Sequence, residues 1–136
     1  MESFSQIGQD LWVLETLKNK RNGYFLDIGA HDGIYISNTY LLEKKYDWNG
    51  LCLDGNSLIL EDLKKNRKCK CIHALLDKEE KECYFFTNTQ NKNMGVFSRI
   101  LDNREGKILE NNLKIDNDKN IKLSKIKTSI ISNILI

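Results

Sequence analysis

YFLDIGAHDG, spanning Tyr24 to Gly33, is a short apolar run that ends in glycines. Tyr24, Phe25, Leu26 and Ile28 predict a buried strand, punctuated by Asp27 and broken at Gly29. The pattern that follows is D-x-G-x-x-x-G, made by Asp27, Gly29 and Gly33. Glycines at a strand end let the backbone turn sharply and let a ligand approach main-chain N–H groups with no Cβ in the way. A dinucleotide fingerprint needs G-x-G-x-x-G, and here Ala30 and His31 stand where the second glycine belongs. A phosphate loop needs G-x-x-x-x-G-K-[ST], which is absent. The plainer reading is a strand-to-turn junction in which Gly29 and Gly33 only supply positive φ.

The next strand sharpens the pattern. Leu51 to Leu53 predicts a second short buried strand ending in Asp54-Gly55-Asn56, and Asp54 lies 21 residues beyond Gly33. An acid about 20 residues past such a loop, at the tip of the second strand of a βαβ unit, is placed to accept both hydroxyls of a ribose. The alternative is an Asp-Gly turn residue that only shapes the connection; the upstream loop favours the ribose. A fixed carboxylate at Asp27 suits an ammonium or a hydroxyl rather than a phosphate. S-adenosylmethionine carries both features, an ammonium at its amino-acid end and a ribose diol at its adenosine end.

Around these strands the pattern is helical. Ile7, Leu11, Leu14 and Leu17, widened by Trp12 and Val13, predict an amphipathic helix from about Gln6 to Asn19, stopped by Asn22-Gly23. Gln9 and Asp10 open it, as first-turn polar residues favourable to the dipole or as lining of a cofactor mouth. Ser37 or Asn38 caps a helix to about Tyr46. Ser57 caps another carrying Leu58, Leu60 and Leu63 to about Asn66, and Cys69 to Leu75 is a third strand. Strand, helix, strand, helix, strand is a parallel unit ordered 3-2-1 by right-handed crossovers.

The remainder is less regular. Glu82 to Thr87 predicts a fourth strand, antiparallel or edge-placed. Asn88 to Gly95 is a polar loop, and Val96 to Leu101 a brief apolar patch. A helix is expected around Lys107 to Leu113, a turn at Asp116 to Asn120, a strand over Ile121 to Ile130, and a helix start at Ser132.

At 136 residues the chain is read as one domain, with residues 87–120 a less ordered insert. Lys+Arg 21 against Asp+Glu 19, with signs interspersed, argues against a nucleic-acid binder. The densest basic run, Lys64 to Lys70, reads as the solvated end of a helix in preference to a phosphate site. No apolar stretch of about 18 residues and no signal peptide are present, so no membrane partner and a cytoplasmic location are expected. The four cysteines form no C-x-x-C pair and read as buried free thiols, with no metal site. A metal that lowers an acceptor's pKa would need ligands this pattern does not reveal.

Taken together, SQIGQDLWVLETL, GYFLDIGAHDG, SNTYLLEK, WNGLCLDGNS and KKNRKCKCIHALL resemble the FkbM-type methyltransferases, S-adenosylmethionine-dependent class I enzymes. The similarity runs from about Phe4 to Phe86, with weaker echoes in MGVFSRILDN and IKTSIISNIL. The resemblance implies a Rossmann-like class I fold, a partial parallel sheet with helices on both faces. It also implies O-methylation of a hydroxyl on a sugar or similar small acceptor. Asp27, Gly29, Ala30, His31, Asp32 and Gly33 would line the methionine end, mostly through backbone. Ser37 and Asn38 would lie beside that loop. Asp54, where the family usually has Glu, would hold the ribose. Gly55 and Asn56 follow it, and Ala74 and Leu75 would flank the adenine. His31 is the titratable group nearest the expected methyl position, as a general base or as a loop residue contributing backbone alone.

The family's pattern continues past the stretch matched by Thr128 to Leu135 with a further strand and an acidic D-x-E-G segment, neither of which occurs here. The expectation is a truncated member, half of a split protein or an incomplete gene product. Its first strand would be left at an open edge with Phe25 and Leu26 uncovered, unless Ile121 to Ile130 partly covers it. Such a chain would be poorly stable as a monomer and nearly inactive alone, or an inert cofactor-binding fragment that needs a partner chain or self-association at that edge.

Overall fold

The apolar runs fold as mixed α/β structure in a computed structural model that describes residues 1–88, 98–116 and 119–135. The chain separates into two compact units, Met1–His73 and Ala74–Ile136.

The first unit holds helix α1 (Gln9–Thr16), strand β1 (Tyr24–Ile28), helix α2 (Tyr40–Tyr46) and strand β2 (Asn49–Asp54). A 3-10 turn at Ser57–Ile59 leads into helix α3 (Leu60–Asn66) and strand β3 (Lys70–His73). The three strands are parallel in the order β1-β2-β3, as the alternation of strand and helix predicts. Register pairs Phe25 with Gly50, Asp27 with Cys52 and Cys52 with Cys71, so these side chains share one face of the sheet. On that face Phe25 and Cys52 join Leu14, Leu41, Leu42, Tyr46, Trp48 and Leu63 in the core. Leu51 and Leu53 on the opposite face are buried too, as a central parallel strand requires.

Gly50 is needed where it stands. A Cβ there would come 2.4 Å from the Phe25 ring, which lies directly across it.

Several expectations change in detail. Ile7 and Trp12 are exposed, because the helix begins only at Gln9 and Trp12 sits on its outer side. Asp10 is fully buried instead of lining a mouth. It accepts hydrogen bonds from the Ser3 and Ser5 hydroxyls and the Phe4 N–H (2.8 Å), which folds the N-terminal segment over the helix start. Asn56, not Ser57, caps the 3-10 turn, accepting from the Leu58 N–H at 3.0 Å. Phe25 is buried and Leu26 half-buried, although β1 is an edge strand with Tyr24 and Ile28 exposed. The expected thiols are free; Cys52, Cys69 and Cys83 are buried and Cys71 is half-buried.

The second unit is a three-stranded antiparallel sheet in the order β5-β4-β6. Its strands are β4 (Glu82–Asn88), β5 (Arg99–Leu101) and β6 (Ile121–Lys127); helix α4 (Asn103–Asp116) lies between β5 and β6, and helix α5 (Ile131–Ile134) follows β6. β4 is antiparallel as expected, but central. β6 pairs with β4 over its whole length. Gly106 lets α4 rest on Tyr84, since a Cβ there would meet that ring at 2.1 Å. Thr128 is buried and ties the unit, accepting from the Lys81 N–H and donating to the Glu79 carbonyl. Most of the polar loop Asn88 to Gly95, and part of the turn at Asp116 to Asn120, lie outside the described residues. No helix among the described residues is long and apolar enough to cross a membrane.

Candidate functional site

Two carboxylates stand near the ends of adjacent parallel strands in the first unit, Asp27 next to last in β1 and Asp54 last in β2, and Asp54 is tied to the glycine loop. After β1 the chain turns through Gly29 (φ 77°), His31 (φ 52°) and Gly33 (φ 84°). The Gly29 and Ala30 N–H groups both donate to the Leu53 carbonyl, at 2.8 and 3.0 Å. The His31 N–H donates to Asp54 Oδ2 at 2.8 Å, and the Asn56 N–H donates to Asp54 Oδ1 at 2.8 Å. Asp54 therefore clamps the loop onto the tip of β2. These loop N–H groups are engaged within the fold, as are the Ala30, Asp32 and Gly33 carbonyls, so the loop's open approach is at the bare Cα of Gly29. Nothing lies within 4 Å of where a Gly29 Cβ would stand.

Asp32 shapes the rest of the loop by accepting from the Ile34 and Tyr35 N–H groups, and its carbonyl accepts from Asn66. Ser37 caps the approach to α2, its hydroxyl accepting from the Tyr40 N–H at 3.0 Å, while Asn38 is exposed. Asn56 is buried at the tip of β2, and the Gly55 carbonyl lies 2.9 Å from His73 Nε2. Ala74 and Leu75 begin the second unit, where the Leu75 carbonyl accepts from the Ser129 N–H. The loop and both strand-tip carboxylates are brought together; Ala74 and Leu75 belong to a separate unit.

His31 is buried, with its ring edge-on to Tyr35 at 6.1 Å between centroids. Its Nε2 has no hydrogen-bond partner. A buried, unsatisfied ring nitrogen is costly and calls for a reason.

Arg67 is the residue that pattern reading missed. It stands in the lysine run taken for a solvated face, yet its side chain is fully buried. Nε donates to Glu43 (3.2 Å), Nη1 to the Gly33 carbonyl (3.2 Å) and Nη2 to the Thr39 hydroxyl (3.0 Å). The guanidinium also lies 5.1 Å from the centroid of the Phe25 ring. Gly33 makes room for it, since a Cβ there would meet Arg67 Cγ at 2.6 Å. The Thr39 hydroxyl in turn donates to Asp27 Oδ2.

Burial alone would raise the Glu43 carboxyl. The Lys68 N–H, the Cys69 thiol, the Arg67 charge and the Cys69 N–H outweigh it and hold the group below its ordinary 4.5. Asp10 behaves alike. Burial would raise it, but Ser3, the Phe4 N–H, Ser5 and the Leu11 N–H hold it below 3.8. A carboxyl depressed by folding adds stability above its unfolded pKa and loses it as pH falls through the lower folded value. Thermal melts between about pH 3 and pH 7 should therefore be flat near neutrality and fall below about pH 4.5. Glu43→Gln should flatten that acid limb, and an unchanged limb would remove Glu43 as its cause.

In the second unit, α4 and β6 border an open cleft lined by Tyr84, Glu110, Leu113, Lys114, Leu123 and Lys125. It holds none of the sequence-predicted site residues. Among the described residues no three His, Cys, Asp or Glu side chains gather as a metal site. No family model, no curated protein and no solved structure matches the chain significantly.

Proposed function

We propose that the chain binds S-adenosylmethionine on its first unit and serves methyl transfer to an oxygen of a sugar or similar small acceptor. One observation carries this reading. Asp27 and Asp54 stand at the carboxyl ends of adjacent parallel strands, and the glycine loop that follows β1 is tied to Asp54. In open α/β sheets ligands bind at that end of the strands. The resemblance to FkbM-type methyltransferases supports the same reading, and the Rossmann-like class I fold with helices on both sheet faces is part of the proposal.

The residues fit the cofactor. Gly29 offers open space beside the loop, and His31 offers a buried nitrogen without a partner. Each Asp54 oxygen holds one backbone N–H, and a carboxylate oxygen can accept a second donor, so the ribose hydroxyls can still be taken. Asp27 is assigned to the ammonium. The cofactor supplies, when bound, a methyl already activated on sulfonium. The protein's part is then mostly alignment of donor and acceptor. His31 Nε2 is the atom assigned to receive the acceptor hydroxyl's proton.

Calorimetric titration tests the reading. Saturable binding of S-adenosylhomocysteine without response to NAD is expected; NAD binding without response to S-adenosylhomocysteine overturns it.

A second reading, a cofactor-binding fragment completed by a partner chain or a second copy, is favoured by the edge position of β1 among the described strands and the exposure of Tyr24 and Ile28. Sedimentation showing a monomer that turns over an acceptor would set it aside.

A further inference from the structure

We propose that Thr39 and Arg67 are positioning residues that fix the Asp27 carboxylate for a cationic ligand group, an inference that rests on the cofactor reading above. The direction of the hydrogen bonds follows from chemistry. A guanidinium can only donate, so the Thr39 hydroxyl accepts from Arg67 Nη2 and has a single proton left, which goes to Asp27 Oδ2. Arg67 itself stays 3.9 Å from Asp27, beyond hydrogen-bond reach. Among the described residues Thr39 is thus the hydrogen-bonded link between the buried cation and that carboxylate.

The charges do not cancel. One guanidinium serves two carboxylates, Asp27 and Glu43. Glu43 takes the closer contact, and it also accepts the Lys68 and Cys69 N–H groups at 3.1 and 3.0 Å. Glu43 is therefore well satisfied. The net negative charge remains with Asp27, whose side chain is 13% exposed at the end of β1. In a site shielded from water an unbalanced carboxylate attracts a cation strongly, and an ammonium supplies the missing charge. Thr39 holds one oxygen of Asp27 and so determines how the carboxylate is presented.

The experiment compares two ligands on the full chain by calorimetry. S-adenosylhomocysteine carries the ammonium; 5′-methylthioadenosine has the same nucleoside and thioether but lacks the amino-acid end. Thr39→Val removes the hydroxyl at constant shape. It should weaken S-adenosylhomocysteine about tenfold, the scale of one hydrogen bond to a charged group, and leave 5′-methylthioadenosine within about twofold. Thr39→Ser keeps the hydroxyl and should restore binding to within about threefold. Where Thr39→Val does not fold, Arg67→Lys carries the same comparison, since an ammonium cannot span Glu43, Gly33 and Thr39 together. Equal weakening of both ligands, or no weakening, overturns the positioning role. A wild-type chain that binds neither ligand removes the cofactor reading itself.

Discussion

Arg67→Met is expected to lower the melting temperature of the first unit by more than about 10 °C. The guanidinium is fully buried, and its loss strands Glu43 and Asp27 with no counter-charge. The Gly33 carbonyl and Thr39 hydroxyl lose a donor as well. Removing one partner of a buried ion pair costs about 3–5 kcal/mol. Each kcal/mol moves the melting point of a unit this small by about 4–8 °C. Methionine fills much of the volume, so the loss is electrostatic and not a cavity. The double variant Arg67→Met/Glu43→Met removes the nearer stranded charge and should recover part of the loss, a coupling within the usual about 0.5–3 kcal/mol for contacting residues. Calorimetry decides: a single variant that melts within about 2 °C of wild type would show that Arg67 does not hold the unit together.

That residue also marks where pattern reading stops. The bounds of β1 were legible to the residue, because a mostly apolar run ends at glycine, but its burial was not: Phe25 alone is buried and Tyr24 and Ile28 are exposed. The tip of β2 was legible through spacing, which located Asp54 without revealing that its oxygens hold the loop. Arg67 was not legible. Its partners Glu43 and Gly33 lie 24 and 34 positions away, and no local period distinguishes one inward cation from the lysines around it. The cap at Asn56 failed by one position for a simpler reason, since Asn and Ser are equally good caps and stand side by side. Ile7 and Trp12 fit a helical stripe that the fold does not use, because the helix starts after Ile7 and turns Trp12 to its outer side. The boundary at His73 carries no proline or glycine signal; the division into two units rests on long-range pairing within each.

Asp54→Ala should weaken S-adenosylhomocysteine at least tenfold, and two losses contribute. The first is direct: a ribose diol held by both oxygens is worth about 1.5–3 kcal/mol per hydrogen bond before compensation. The second acts through the loop. His31 and Asn56 would lose their acceptor, and His31 sits at φ 52°, a left-handed conformation that a residue with a Cβ adopts at a cost of about 1–2 kcal/mol. With the clamp gone, that turn can relax and carry Gly29 and Ala30 away from Leu53. The two contributions separate with a 2′-deoxyribose analogue of the ligand. Wild type should prefer the ribose form clearly, whereas Asp54→Ala should bind both forms with similar weakness. Asp54→Asn, which keeps one acceptor oxygen, should fall between. Were the residue only a loop clamp, both ligands would weaken by one common factor and the ribose preference would survive in the variant. An unchanged dissociation constant would leave Asp54 a turn former and nothing more.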